Sequence, residues 1–246
     1  MLIGCKCLNE EKTVKRVIGD FHDEPWVDKI IAIDGDSSDY TVQELRQFSK
    51  VDVYVHKYLD WYHDQEIMQA NIVLSYIPHN EIVFLLDFDE RITQPLKEVL
   101  SKINEAGEMP DGADLVHIPR RTIDVLRYEN SPFAILGRDG WPMESHEIGQ
   151  FPDYQPRLIR KTHKMHWVQS PHRALVGWIQ IAALRDECHI LHYEKDDYRD
   201  REWIERRWLR QNAKRISLGL PCDLYEVSAK PEFADAIDPN YWKGER

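Results

Sequence analysis

The stretch Glu81-Ile-Val-Phe-Leu-Leu-Asp-Phe-Asp-Glu90 decides how this chain is read. An unbroken apolar run, Ile82 to Leu86, leads straight into two aspartates separated by one residue. Such a run, bounded by polar residues, predicts a strand buried on both faces. The acids then fall where that strand ends, at the sheet edge where open α/β proteins take their ligands. Side chains two apart on a strand point the same way, so Asp87 and Asp89 can reach one divalent cation. The competing reading is an acidic strand-to-helix loop, with Asp89, Glu90 or Thr93 capping the helix that begins near Pro95.

Upstream, the same strand-then-acid pattern repeats. Leu2 to Leu8 predicts a first strand that ends in Asn9-Glu10-Glu11. Val14, Val17, Ile18 and Phe21 form an apolar stripe at helical spacing behind it. Lys29 to Ile33 predicts a second strand, ending in Asp34-Gly-Asp-Ser-Ser-Asp39. A short helix (Thr41 to Phe48), a third strand (Val51 to Val55) and a longer helix (Asp64 to Tyr76) lead to the Ile82 strand, and a further helix follows from Pro95 to Ala106. Strand and helix alternate to about residue 106, the signature of a parallel sheet covered on both faces. Carboxylates at neighbouring strand ends repel unless a cation or hydrogen-bond donors neutralise them, so together they point to a site. The bland alternative is that Asp36, Ser37 and Asp39 cap the helix that follows.

Beyond Met109-Pro-Asp-Gly112 the pattern turns irregular. Short strands are predicted at Ala113 to Ile118, Thr122 to Tyr128, Arg157 to Lys161, His166 to Val168 and Arg173 to Gly177, as an antiparallel extension. Residues 129 to 153, rich in glycine and proline, read as a long loop, which in a compact domain is functional or disordered. A charged helix spans about Tyr198 to Leu218. Its Arg206, Arg207 and Arg210 suit an anionic membrane surface, whereas Asp196, Asp197, Asp200, Glu202 and Glu205 suit an ordinary salt-bridged face.

Composition narrows the classes. A chain of 246 residues, 42% hydrophobic and 30% charged, can bury a sizeable core, and its formal charge of −11 argues against a general nucleic-acid binder. No apolar run approaches a transmembrane span and the N-terminus lacks a signal peptide's apolar region, so the expectation is a cytoplasmic protein, at most attached to the cytoplasmic face of a membrane. The four cysteines include Cys5 and Cys7 as CxC on a strand, which reads better as buried thiols than as a zinc knuckle.

Cys7-Leu-Asn-Glu-Glu11, Ile33-Asp-Gly-Asp-Ser-Ser-Asp-Tyr-Thr41 and Leu85-Leu-Asp-Phe-Asp-Glu-Arg91 resemble, in order and separation, three signatures of family 2 glycosyltransferases of the GT-A fold. Pro119-Arg-Arg121, Gly140-Trp-Pro142, Phe151-Pro-Asp-Tyr-Gln-Pro-Arg-Leu-Ile-Arg160, Pro171-His172 and Leu191-His-Tyr193 resemble the subgroup of bacterial lipopolysaccharide-core β-glucosyltransferases. The resemblance covers roughly residues 1 to 210. It implies one GT-A domain over 1–218: a nucleotide-binding half (1–108), an acceptor half (109–195) and a helix (196–218), before a C-terminal tail (219–246). The implied activity is transfer of a sugar, with inversion, from a nucleotide sugar, UDP-hexose by default, to a glycan, lipid-linked or protein acceptor.

The resemblance also implies site residues. Asn9, Glu10, Asp34, Asp36, Asn71, Asp87 and Arg120 would hold the nucleotide sugar. Asp87, Asp89 and His172 would hold Mn²⁺ or Mg²⁺, with Asp89 the direct ligand, although a lone histidine beside a strand, as His172 is, more often has a structural part. Asp153 would be the base that deprotonates the acceptor hydroxyl; it also reads as a turn residue, and Glu144 and His146 are rival bases. This chain departs from its relatives at Gln69-Ala-Asn71, where an arginine usually stands, and Arg120, Arg121 or Arg173 would compensate. Trp61, Trp141 and Trp167 are the tryptophans nearest the expected site. Two other readings share the acid pattern: a sugar nucleotidyltransferase, which Leu8-Asn-Glu-Glu-Lys12 suits poorly for want of a glycine-rich phosphate loop, and a degenerate sugar-nucleotide-binding module.

Overall fold

A computed structural model describes residues 1–57, 65–123, 135–136, 142–144, 151–168 and 174–193. All of them belong to one compact unit, Met1–Gln169 with Arg173–Asp196. The expected charged helix, the tail, Trp61, Trp141, His146, His172 and Arg173 lie outside the described residues.

The first half follows the alternation. Strands β1 (Leu2–Cys7), β2 (Lys29–Asp34), β3 (Val51–Val55) and β4 (Ile82–Asp87) are separated by helices α1 (Glu11–His22), α2 (Thr41–Leu45) and α3 (Gln65–Tyr76). Next come β5 (Glu90–Ile92), α4 (Gln94–Ala106), a 3₁₀ turn (Pro110–Gly112) and β6 (Leu115–Ile123), and then β7 (Ile135–Leu136) and β8 (Pro142–Glu144), a short hairpin. The remaining strands are β9 (Asp153–Arg160), β10 (His166–Val168), β11 (Ala174–Val176), β12 (Ile181–Ala183) and β13 (Ile190–Tyr193).

The main sheet runs β3-β2-β1-β4-β9-β6-β13-β5. β1 to β4 are mutually parallel, β9 inserts antiparallel between β4 and β6, and β13 runs parallel to β6. The chain therefore winds outward from β1 to β2 and β3, then returns to place β4 on the other side of β1. That reversal opens a crevice at the carboxyl ends of β1 and β4, the usual ligand position in such sheets.

Two apolar layers hold the sheet. On one face Ile3, Cys5, Ile30, Ala32, Phe84 and Leu86 pack against Val14, Val17, Ile18 and Phe21 of α1 and Leu96, Leu100 and Ile103 of α4. On the other, Ile31, Ile33, Val83 and Leu85 meet Ala70, Val73 and Leu74 of α3 and Ile77 just beyond its end. The stripe expected on α1 is the buried one. Gly4 lets α3 come close, since a Cβ there would sit 2.8 Å from Val73 Cγ1. Cys5 and Cys7 are buried free thiols, and burial pushes the Cys5 thiol up to about 12.

The second half differs from expectation in its joints. The strand expected at 113–118 and the described start of the one expected at 122–128 form one strand, β6, through Pro119; residues 124–128 lie outside the described residues. On one edge β6 pairs with β9; on the other it pairs with β12 at Leu115–His117 and with β13 at Arg120–Ile123. Pro119 falls between those two partners, where a missing N–H removes least pairing. The 129–153 stretch, read as a loop, contains β7 and β8, and β9 begins at Asp153, earlier than Arg157.

Candidate active site

The crevice between β1 and β4 is lined by acids and cations in alternation. Register sets Lys6 beside Asp87, and Lys6 Nζ donates to Asp87 Oδ1 at 2.9 Å. β9 supplies the second cation. Val83 faces Ile159 across the β4–β9 pair, so Arg157 and Asp87, at even spacing from them, lie on one face. Arg157 donates to Asp87 Oδ2 at 2.9 Å and to Glu90 Oε1 at 2.5 Å. Glu90 Oε2 accepts the Asp87 backbone N–H at 3.2 Å, which closes the turn between β4 and β5.

Glu90 is 0% exposed, so its charge has no water to lean on. Burial pushes its carboxyl above the ordinary glutamate range; Arg157 pulls it back, and Asp87 and Asp89 push it further up. Burial works to lower the Arg157 guanidinium, but Glu90 and Asp87 outweigh it and hold the charge firmly in place. Asp89, half-buried, sits at the tip with His192 Nε2 3.7 Å from its Oδ2, and the Tyr193 N–H donates to its backbone carbonyl at 2.8 Å. Burial alone would lower His192, yet the hydrogen bond and charge of Asp89 raise it above the ordinary histidine value. One ligand atom from each of Asp87, Asp89 and Glu90 lies within 4.8 Å of the others.

This donor set fits a hard or borderline divalent cation at Asp89. Asp87 and Glu90 are bound to Arg157, while Asp89 offers a carboxylate beside an imidazole, a pairing that suits manganese as well as magnesium oxygen sites. Of the capping candidates, Thr93 occupies the N-cap position of α4, but its hydroxyl donates to the His189 carbonyl at 2.9 Å.

Asp153, at the start of β9, is tied to the cluster through Arg120. Arg120 Nε and a terminal nitrogen donate to Asp153 Oδ2 at 3.0 and 2.6 Å, and Gln155 donates to Oδ1 at 2.7 Å. The other terminal nitrogen of Arg120 lies 3.8 Å from Glu90 Oε1. Just before Asp153, Phe151 is flanked by the Arg121 guanidinium, 4.5 Å from its ring centre, and by His189. Glu144 is the last residue of β8, paired across the hairpin with Ile135.

The β2 end is arranged differently. Asp34 is 0% exposed. Its Oδ1 accepts the backbone N–H groups of Asp36 and Ser37 at 3.0 and 2.8 Å, and its Oδ2 accepts the Ser37 hydroxyl at 2.6 Å and the Cys7 thiol at 3.5 Å. Asp34 thus shapes the turn, while Asp36 projects from it at φ 72 with a side chain 53% exposed, 3.9 Å from Lys57. Asn9 latches the neighbouring turn, accepting the Ser38 N–H at 2.9 Å, and Glu10 accepts the Thr13 hydroxyl at 2.8 Å. Asn71 stands apart: its carboxamide makes reciprocal bonds with the Trp167 backbone at 3.0 and 2.7 Å, bracing α3 against β10. Trp167 is buried in that layer.

The structure therefore gathers Asp87, Asp89, Arg120 and Asp153, and adds Lys6, Glu90, Arg157 and His192, to which sequence reasoning assigned no part in the site. A signal existed for Lys6: a lysine inside a strand buried on both faces requires a counter-charge nearby.

No family model matches the chain, and no curated protein matches it in sequence. Solved structures do. S. aureus TarS 1-349 in complex with UDP-GlcNAc superposes with a TM-score of 0.52 at 13% identity, over 96% of this chain and 81% of that one. Longer S. aureus TarS gives 0.51 at 14% identity, over 97% of this chain and 49% of that one. The mannosyltransferase PcManGT from Pyrobaculum calidifontis, in complex with GDP-Man and Mn²⁺, overlaps 49% of this chain and 35% of its own at a TM-score of 0.37 and 15% identity. At such identities the likeness concerns the fold, a mixed α/β domain with a large sheet flanked by helices, as in the GT-A glycosyltransferases. No described helix is long and apolar enough to cross a membrane.

Proposed function

We propose that the chain is a glycosyltransferase that moves a sugar from a nucleoside diphosphate donor, UDP-hexose by preference, to a glycan, lipid-linked or protein acceptor with inversion. The observation that carries this reading is the acidic cluster Asp87, Asp89 and Glu90, set on a GT-A fold and on the crevice between β1 and β4. In this reading residues 1–108 form the donor half and 109–195 the acceptor half.

Asp89 and His192 would hold the divalent metal, whose Lewis acidity offsets charge that builds on the departing diphosphate. Lys6 and Arg157 keep Asp87 oriented and its charge balanced. Arg120, between Asp153 and Glu90, is the guanidinium that a diphosphate would compete for. Its transfer from Asp153 to phosphate would release Oδ2 to accept the proton of the attacking hydroxyl. Glu144 is the second candidate for that task.

The reading is tested by thermal melting with UDP and Mn²⁺, followed by hydrolysis assays over a panel of nucleotide sugars. UDP with Mn²⁺ raises the melting temperature, Asp89→Ala abolishes the shift, and one nucleotide sugar is hydrolysed slowly. Stabilisation by no nucleoside diphosphate would sink the proposal.

A further inference from the structure

Gln69, on the sheet-facing side of α3, has its carboxamide 0% exposed. The two amide atoms meet different fates. Nε2 donates to the His56 carbonyl at 2.6 Å. That carbonyl marks where the β2–β3 ladder stops: the His56 N–H donates to the Asp34 carbonyl at 2.8 Å, and the next rung of a parallel ladder would bring the Asp36 N–H to the His56 carbonyl. The Asp36 N–H bends instead into Asp34 Oδ1. Gln69 supplies the missing rung, which seats its carboxamide at the carboxyl ends of β2 and β3, beside the Asp34–Ser37 turn.

Among the described residues, Gln69 Oε1 is buried with no hydrogen-bond partner. Exchanging the amide oxygen and nitrogen gives no relief, because it would set one acceptor against another at the His56 carbonyl. A buried carbonyl without a donor is costly, and such exceptions call for an explanation. The turn beside it carries Asp36, a proposed nucleotide contact, so the missing donor belongs on the nucleotide.

We propose that Gln69 determines base specificity: its Oε1 accepts a ring N–H of the donor's base, the N3–H of uracil or the N1–H of guanine. Cytosine and adenine carry a lone pair at that ring position and would face Oε1 acceptor to acceptor. The inference rests on the nucleotide-sugar reading and narrows it to keto bases. Because Nε2 is already committed to His56, the side chain cannot rotate to suit the other pair.

The test is isothermal titration of the full chain, with Mn²⁺, against UDP, CDP, GDP and ADP. The tighter of UDP and GDP is expected to bind at least about tenfold more strongly than its amino counterpart, CDP or ADP. Gln69→Met keeps the volume but loses the acceptor, and should bring that pair to within about threefold by weakening the keto base alone. Equal binding of keto and amino bases by the unaltered chain overturns the proposal and leaves the nucleotide-sugar reading standing. So does an unchanged ratio in Gln69→Met, the result expected if Oε1 meets only a buried water. Binding of no nucleoside diphosphate overturns both. Should Gln69→Met fail to fold by circular dichroism, the comparison on the unaltered chain decides, and UDP against 3-methyl-UDP repeats it: equal affinity for these two overturns the proposal.

Discussion

The carboxyl ends of β2 and β4 both carry runs of acids, Asp34/Asp36/Asp39 and Asp87/Asp89/Glu90, and the chain neutralises them by different means. At β2 the charges of Asp34 and Asp39 are met by dipoles: backbone N–H groups, the Ser37 hydroxyl and the Cys7 thiol surround Asp34, and Thr41 and Glu11 N–H groups face Asp39, while the exposed Asp36 lies 3.9 Å from Lys57. At β4 it is met by full charges, Lys6 and Arg157 on Asp87 and Arg157 on Glu90, with the His192 imidazole beside Asp89. Dipoles from the chain itself fix a loop in one shape. Cations on separate strands hold acids that a ligand or metal can still contest. An acid-tipped strand therefore has two physical uses, and what lies across the sheet tells them apart.

The largest effect expected from breaking the comparison is on activity. Asp89→Ala should lower kcat for sugar transfer or nucleotide-sugar hydrolysis by on the order of a thousandfold, since the metal's stabilisation of the leaving group is worth several kcal/mol. Asp34→Ala at the other end should act through the loop, raising KM for the donor and lowering melting temperature without a comparable fall in kcat. Steady-state kinetics on both variants separates the two; a kcat loss of equal size in each would erase the distinction.

Stability gives the next largest contrast. Arg157→Met leaves Glu90, fully buried, and Asp87 without their shared cation, and should cost about 3–5 kcal/mol by urea unfolding. Adding Glu90→Gln should restore part of that loss, because the stranded charge is removed as well. Asp34→Asn removes one negative charge at β2. It turns an acceptor into a donor facing Ser37 or the turn's N–H groups, for a cost of about 1–3 kcal/mol. No second substitution of a cation should rescue it. Rescue of both, or of neither, would show that the two ends are held alike.

Much of the β4 end was legible in sequence and the rest was not, for reasons that lie in particular residues. Ile82 to Leu86 announced a doubly buried strand because no polar residue interrupts it, and Asp87 and Asp89 had to fall at its end. Arg157 gave no such sign: it sits among Pro156, Leu158 and Ile159, and only the antiparallel insertion of β9 beside β4 makes it a partner of Asp87. His192 lies in β13, four residues whose identity as a strand depends on β5 and β6 flanking it. β5 and β12 are three residues long, too short for any periodicity to register. At β2 the acids were visible, but whether Asp34 faces a ligand or its own turn depends on backbone angles, above all the positive φ of Asp36. Local pattern carried the parallel half; pairing between distant segments carried the remainder.

The smallest expected effect concerns Asp39 and the pH dependence of the β2 turn. Burial acts to raise this carboxyl, but bonds from the Thr41 hydroxyl and N–H and the Glu11 N–H outweigh it and hold it below the ordinary aspartate range. The folded chain then binds fewer protons at this position than the unfolded chain does, across the interval between the depressed value and the ordinary one. Stability must rise with pH through that interval: the contribution is complete above the ordinary aspartate value and is lost as acid carries the pH down through the folded one. Asp39→Asn should therefore flatten the acid limb of the melting temperature against pH by lowering the neutral value slightly while leaving the acid value nearly unchanged. The change should resist added salt, because its donors are fixed dipoles within hydrogen-bond distance and not distant charges that ions screen. A curve for Asp39→Asn that runs parallel to the unaltered chain through the acid range would mean that the turn's dipoles do not set the charge state at β2, and would remove the physical basis for separating that end from β4.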